Sequence, residues 1–195
     1  MEHFDKPALA KVELVRELNI AAIGHLGDEL AASEDGIALN LAYFDMRGWS
    51  VSDAELICEQ EREYLGELAE AGWTTDKAEE IIDEYMSDVN ELIGFDPGMA
   101  GAVVALSAAG ATPISSCNGG TIGSSHHSSE VPHILFAASD SMDVIAIQNA
   151  IEATDLGSVA NGFYGEIYAD QVLKFHAFAS SLIDALQRFR PQVGR

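Results

Sequence analysis

The chain has 195 residues, with 32 Asp and Glu against 10 Lys and Arg, so its formal net charge at pH 7 is −22 and its pI lies near 4.3. Apolar residues make up 48% of it, enough for a packed core, and the length suits one sizeable domain or two small ones. Charge of this sign repels nucleic acid and anionic lipid, so no nucleic-acid partner held through phosphate contacts is expected.

The first residues, Met1-Glu2-His3-Phe4-Asp5-Lys6-Pro7, are polar and do not read as a secretory signal. Residues 8–32 hold Leu9, Val12, Leu14, Val15, Leu18, Ile20, Ile23, Leu26 and Leu30 near helical spacing, which predicts a helix weakened at Gly24 and Gly27. A short helix or turn is expected over 37–47. Ser52-Asp53-Ala54-Glu55 matches a capping box and predicts a helix over 53–71, closed by Gly72. Asp76-Lys77-Ala78-Glu79 resembles another helix start. Ala78, Ile81, Ile82, Tyr85, Met86, Val89 and Leu92 continue it as an apolar stripe to Gly94.

The composition changes at Gly94-Phe95-Asp96-Pro97-Gly98. Residues 1–95 carry 23 acids and 6 bases, a net of −17, and residues 96–195 carry 9 acids and 4 bases, a net of −5. The expected organisation is an acidic helical region, 1–95, followed by a small α/β domain, 96–195. In the second part a helix over 97–109 ends at Gly110. A strand follows over 112–116, with Pro113 marking an edge strand or a first position. Residues 117–132 form a loop and 133–138 an apolar strand. A helix over 142–154 is capped by Asp140 or Ser141. A third strand over 159–168 is interrupted by Gly162 and Gly165, and a last helix covers 171–189. The order α-β-β-α-β-α after the boundary gives an α+β protein with a short sheet covered by helices on at least one face.

No apolar run reaches the roughly 18 residues that a membrane span needs, so no membrane partner is expected. Cys58 and Cys117 are too few for a disulfide framework and read as reduced thiols in a cytoplasmic protein.

The stretch that rises above architecture is 115–130. It brings Ser116, Cys117, Asn118, Gly119, Gly120, His126 and His127 into one loop after a strand, with His133 just beyond. Three chemistries suit it. Cys117 could act as a nucleophile with His126 or His127 as its base, and the amides of Asn118, Gly119 and Gly120 could receive an oxyanion. Cys117, His126, His127 and His133 are the donor types of a Zn²⁺ site, though C-x8-H-H-x5-H is no established zinc spacing. The same loop, with Ser116, could bind a small anion without catalysis, although neither GxGxxG nor a Walker A pattern is present. Against these stands a plain Gly/Ser connection, with Cys117 as a small buried side chain.

A strand, then Ser116-Cys117-Asn118-Gly119, a loop and another strand resembles a segment of the wybutosine-synthesising tRNA methyltransferase family. The likeness is short. No basic residue follows Gly119, and the chain lacks the basic character such a family implies, so no function is carried over from it.

Other candidates read as architecture. Glu59, Glu61, Glu63 and Glu67 sit at helical spacing without the Glu-x-x-His pairs of a di-iron bundle. His25 and His176 fall within helix patterns. Trp49, Trp73, Phe163 and Tyr164 lie near turns as core or pocket residues. Two functions follow. The first is a non-enzymatic interaction module, whose acidic helices meet a basic protein partner. The second is an enzyme, or a small-ligand or Zn-binding protein, using the Cys117 loop.

Overall fold

Ser50, not Ser52, begins the first long helix. The computed structural model describes residues 7, 9–27, 45–73, 75–87, 92, 94–122 and 129–189, and in it α1 spans Val51–Ala71. Ser50 Oγ accepts from the Asp53 amide at 3.2 Å, and Asp53 Oδ2 accepts from the Ser50 amide at 2.8 Å. This reciprocal pair satisfies two otherwise orphaned donors, so the S-x-x-D register at 50–53 prevails over the S-x-x-E register at 52–55. Ser50→Ala should therefore cost about 1 kcal/mol in urea unfolding, whereas Ser52→Ala at an exposed position should be near neutral. Gly72 ends α1 with φ +91°, the left-handed cap that glycine adopts without Cβ strain. Thr75 then starts α2, Asp76–Ser87, by accepting from the Ala78 amide at 3.2 Å.

Beyond Asp96 comes α3, Ala100–Ala108, whose small and branched residues are buried on all sides. Strand β1, Thr112–Cys117, and β2, His133–Ala137, pair antiparallel. Helix α4, Val144–Ala153, is capped by Asp143, whose Oδ1 accepts from the Ala146 amide at 2.9 Å, rather than by Asp140 or Ser141. The expected third strand is two strands, β3 Gly157–Asn161 and β4 Tyr164–Tyr168, so the order after the boundary is α-β-β-α-β-β-α. Gly162, with φ +60°, supplies the tight turn between them that a single interrupted strand would not need. Helix α5, Leu173–Phe189, closes the order.

The fold is α+β. The sheet order is β1-β2-β4-β3 with every neighbour antiparallel. β2 and β3 therefore run the same way, with α4 crossing between them and β4 inserted in the gap. Pro113 stands on edge strand β1, beside a register shift, where its missing N–H breaks no ladder. One core runs from Ile20 to Ile183 across Asp96 and takes in Tyr64, Phe136, Phe175 and Phe178. Ile134, Phe136 and Ile167 face the helices within it, and Ile114, Leu135 and Ala137 pack with Leu26 on the other face.

The expected helix over 8–32 does not form among its described residues. Residues 9–19 and 23–27 are not helical, and only Ile20–Ala22 makes a 3-10 turn. Several backbone donors and acceptors of this strap bond to the sheet and its connections instead. Ser158 on edge strand β3 accepts from Glu17 at 2.8 Å and donates to Val15 at 2.7 Å. Gly24 donates to Phe163 and accepts from Ala138, at the point where the Phe163 ring leaves no room for a Cβ. The strap thus covers an open sheet edge. The element expected over 37–47 lies outside the described residues up to 44. No helix among the described residues is long and apolar enough to cross a membrane.

Candidate functional site

Antiparallel pairing brings Cys117 and His133 together, since they are register partners at one end of β1 and β2. Tyr168 is the partner of His133 on β4, so the three form one row across the sheet. Cys117 is buried, and its Sγ accepts from the Gly119 amide at 3.3 Å. His133 is half-buried, with Nδ1 3.0 Å from the Val131 carbonyl. A carbonyl can only accept, so Nδ1 is the donor in that contact.

The start of the loop is knitted into the protein. Asn118 is fully buried. Its amide donates to Asp96 Oδ2 at 3.1 Å, and its Nδ2 donates to the carbonyls of Pro97 at 3.4 Å and Ile122 at 3.2 Å. Its Oδ1 accepts from the Gly120 amide at 3.0 Å. The amides of Asn118, Gly119 and Gly120 are thus all engaged within the protein, and an anion would have to displace these bonds. Ile122 enters the main core. Ser116 is half-buried on β1 opposite Ile134. His126 and His127 lie outside the described residues. Among the described residues no group of three or more His, Cys, Asp or Glu side chains is arranged to hold a metal ion.

A second thiol–imidazole neighbourhood arises where α1, α3 and α5 meet. Cys58 Sγ is 3.8 Å from His176 Nδ1, and Glu61 Oε2 is 3.4 Å from the same nitrogen. Glu61 is fully buried and also accepts from the Gly101 amide at 3.2 Å. Burial alone would lower the His176 pKa, but hydrogen bonds to Cys58 and Glu61 outweigh it and push the imidazole up to about 10. His176 is therefore a cation at neutral pH. Residues 58, 61 and 176 meet because Cys58 and Glu61 are one helical turn apart and face α5. The acids Glu59, Glu61, Glu63 and Glu67 stand together in the sequence, but nothing in their spacing singles out Glu61 as buried, and only the packing of α5 supplies His176.

The remaining candidates are structural. Trp73 is buried, and Trp49 packs partly buried against the core. Phe163 is exposed and meets Tyr164 edge-on at 5.5 Å. His25 Nδ1 is 3.7 Å from Asp140 at the surface. A cavity of mixed lining, about 490 Å³ in volume, lies beside Arg47, Ser107, Ser139 and Asp143, but Ser107, Ser139 and Asp143 already bond to backbone, and Arg47 pairs with Asp45.

Comparison of the chain with family models, curated proteins and solved structures finds no match in any of the three. The class is therefore defined by geometry alone: an α+β protein with a four-stranded antiparallel sheet, a helical layer and two buried cysteines, each beside a histidine.

Proposed function

We propose that the protein is a non-enzymatic interaction module of the cytoplasm, whose acidic helices receive a basic protein partner. One observation carries this reading. The outward faces of α1 and α2 bear ten exposed carboxylates, against Arg62 and Lys77 as the bases on those helices. Glu55, Glu59, Glu63 and Glu67 follow one another at four-residue steps, which sets them on a single stripe of α1. Like charges held on one stripe repel each other. A basic surface relieves that repulsion and is drawn in at raised association rate. The same field disfavours nucleic acid and anionic membrane as partners.

The test is a pull-down at low and high salt, using the wild type and a variant with these four glutamates changed to glutamine. A basic protein held by the wild type at low salt, and released both by high salt and by the variant, is the expected result. Recovery of no basic protein at either salt would overturn the reading.

The pairing of Cys117 with His133 favours a second reading, a ligand, thiol or Zn²⁺ site at the loop, with His126 and His127 as the further donors that the sequence offers. Metal analysis of the purified protein, and of Cys117→Ala, checks the zinc version. Less than about a tenth of an equivalent of bound metal in the wild type removes it.

A further inference from the structure

Cys58 stands in a different setting from Cys117. It is only 8% exposed, yet it lines an open cleft of about 190 Å³ together with His176 and Ser180. Its Sγ lies 3.8 Å from His176 Nδ1 and 3.7 Å from Ser180 Oγ, and that hydroxyl donates to the His176 carbonyl at 3.1 Å. Glu61 holds the imidazole from the buried side with Oε2, while Glu61 Oε1 is buried with no hydrogen bond among the described residues. A carboxylate fixed in this way holds the imidazole in place, and the same imidazole nitrogen stands beside the sulfur at the inner end of the cleft. The cleft's rim is acidic. Glu55, Glu59 and Asp184 line it with Arg62, and Arg62 is engaged by Glu59 through contacts of 2.9 and 2.7 Å. Such a mouth draws in cations and repels anions.

We infer that Cys58, with His176 beside it and Glu61 holding His176, is a thiol–disulfide exchange site for small disulfides that carry ammonium groups. The inference does not depend on the acidic outer stripe binding a protein. In the step, Cys58 loses its proton to water and the thiolate attacks one sulfur of the disulfide. The S–S bond breaks, its electron pair leaves with the second sulfur, and that thiolate takes a proton from water. Cys58 is oxidised to a mixed disulfide and one aminothiol is released, so electrons balance without another reagent.

The experiment follows adducts on the full chain by mass spectrometry with peptide mapping. The reagents are cystamine and the dianionic disulfide dithiodipropionate, with each rate taken relative to free cysteine. Cystamine should modify Cys58 at least tenfold faster than Cys117, and at least tenfold faster than dithiodipropionate does, with this second ratio shrinking in about 0.5 M salt. His176→Gln should slow Cys58 at least tenfold and leave Cys117 unchanged. Glu61→Gln should shift the pH profile of the Cys58 rate alone. A Cys58 rate no greater than that of Cys117 would overturn the site, as would a folded His176→Gln variant that reacts like the wild type. If that variant fails to fold, the ratio of the two thiols in the wild type decides. Equal normalised rates for the two reagents would overturn the cationic substrate class.

Discussion

Replacing Glu61 by alanine should lower the free energy of unfolding by about 3–5 kcal/mol, measured by urea denaturation near pH 6. Three losses combine. The His176 imidazolium, with a side chain 21% exposed, is left without its carboxylate. The Gly101 amide in the middle of the helical layer loses its acceptor. A void opens where Gly101 was kept free of a Cβ, since an added Cβ would stand 2.7 Å from Glu61 Oε2. Glu61→Gln retains the volume and an acceptor for Gly101, so it should cost less than the alanine change.

The pH dependence of the same pair can be worked out with its sign. The folded pKa of His176, about 10, lies above the unfolded value near 6.5. The folded state therefore holds a proton that the unfolded state has released between these limits, and stability falls as pH rises through that window. The contribution is complete below about pH 6.5 and gone above about pH 10, and it amounts to a few kcal/mol. The groups that set it are Glu61 and Cys58 on α1, with the Gly101 amide of α3 fixing the carboxylate. The stability gap between the wild type and His176→Gln should accordingly be widest near pH 6 and close towards pH 10. A gap that stays constant across this range would falsify the buried ion pair.

The sequence made α1 legible through its start signal and Gly72, α2, α4 and α5 through apolar spacing beside local signals, and α3, which is buried on all sides, through its stop at Gly110. It misread the strap at 9–27 for a physical reason. Leu18, Ile20 and Ile23 are spaced as a helix would space them, but Ile20 and Ile23 are buried in the main core with Leu18 packed partly buried against it, while Leu26 is buried on the opposite face of the sheet. Two faces of a sheet, met in turn by an extended chain, imitate one face of a helix. The edge of β3 and the Phe163 carbonyl decide between the two, and both are distant in sequence. The hairpin at Gly162 was hidden by two glycines that could equally interrupt one strand. At the site, the pairing of Cys117 with His133 was partly legible, because a loop flanked by two strands brings its ends together. The meeting of Cys58 with His176 was not, because a contact spanning more than half of the chain has no local signature.

Gly119→Ala should be the most damaging change in the Cys117 loop, at about 2–5 kcal/mol, and the loop's geometry separates the reasons. Gly119 has φ +68°, a left-handed conformation that costs a residue with a Cβ about 1–2 kcal/mol. A Cβ there would also stand 2.7 Å from Pro132 N and from the Val131 carbonyl carbon, which are backbone atoms that cannot rotate away. Forcing two backbone segments apart adds about 1–3 kcal/mol. Gly162→Ala is the matched comparison, since it shares a positive φ, +60°, but an added Cβ meets nothing within 4 Å. It should show the conformational cost alone, about 1–2 kcal/mol. The difference between the two variants in urea unfolding measures the close approach of Gly119 to Val131 and Pro132. That approach bears on the site as well as on stability. His133 follows Pro132 directly and pairs with Cys117, so spreading the segments at Gly119 should draw the thiol and imidazole apart. Cys117 in Gly119→Ala should then react faster with a neutral alkylating reagent than in the wild type, while Cys58, held by different helices, keeps its rate. Equal stabilities of the two alanine variants would show that the loop tolerates the extra methyl, and would remove the tight packing on which this account depends.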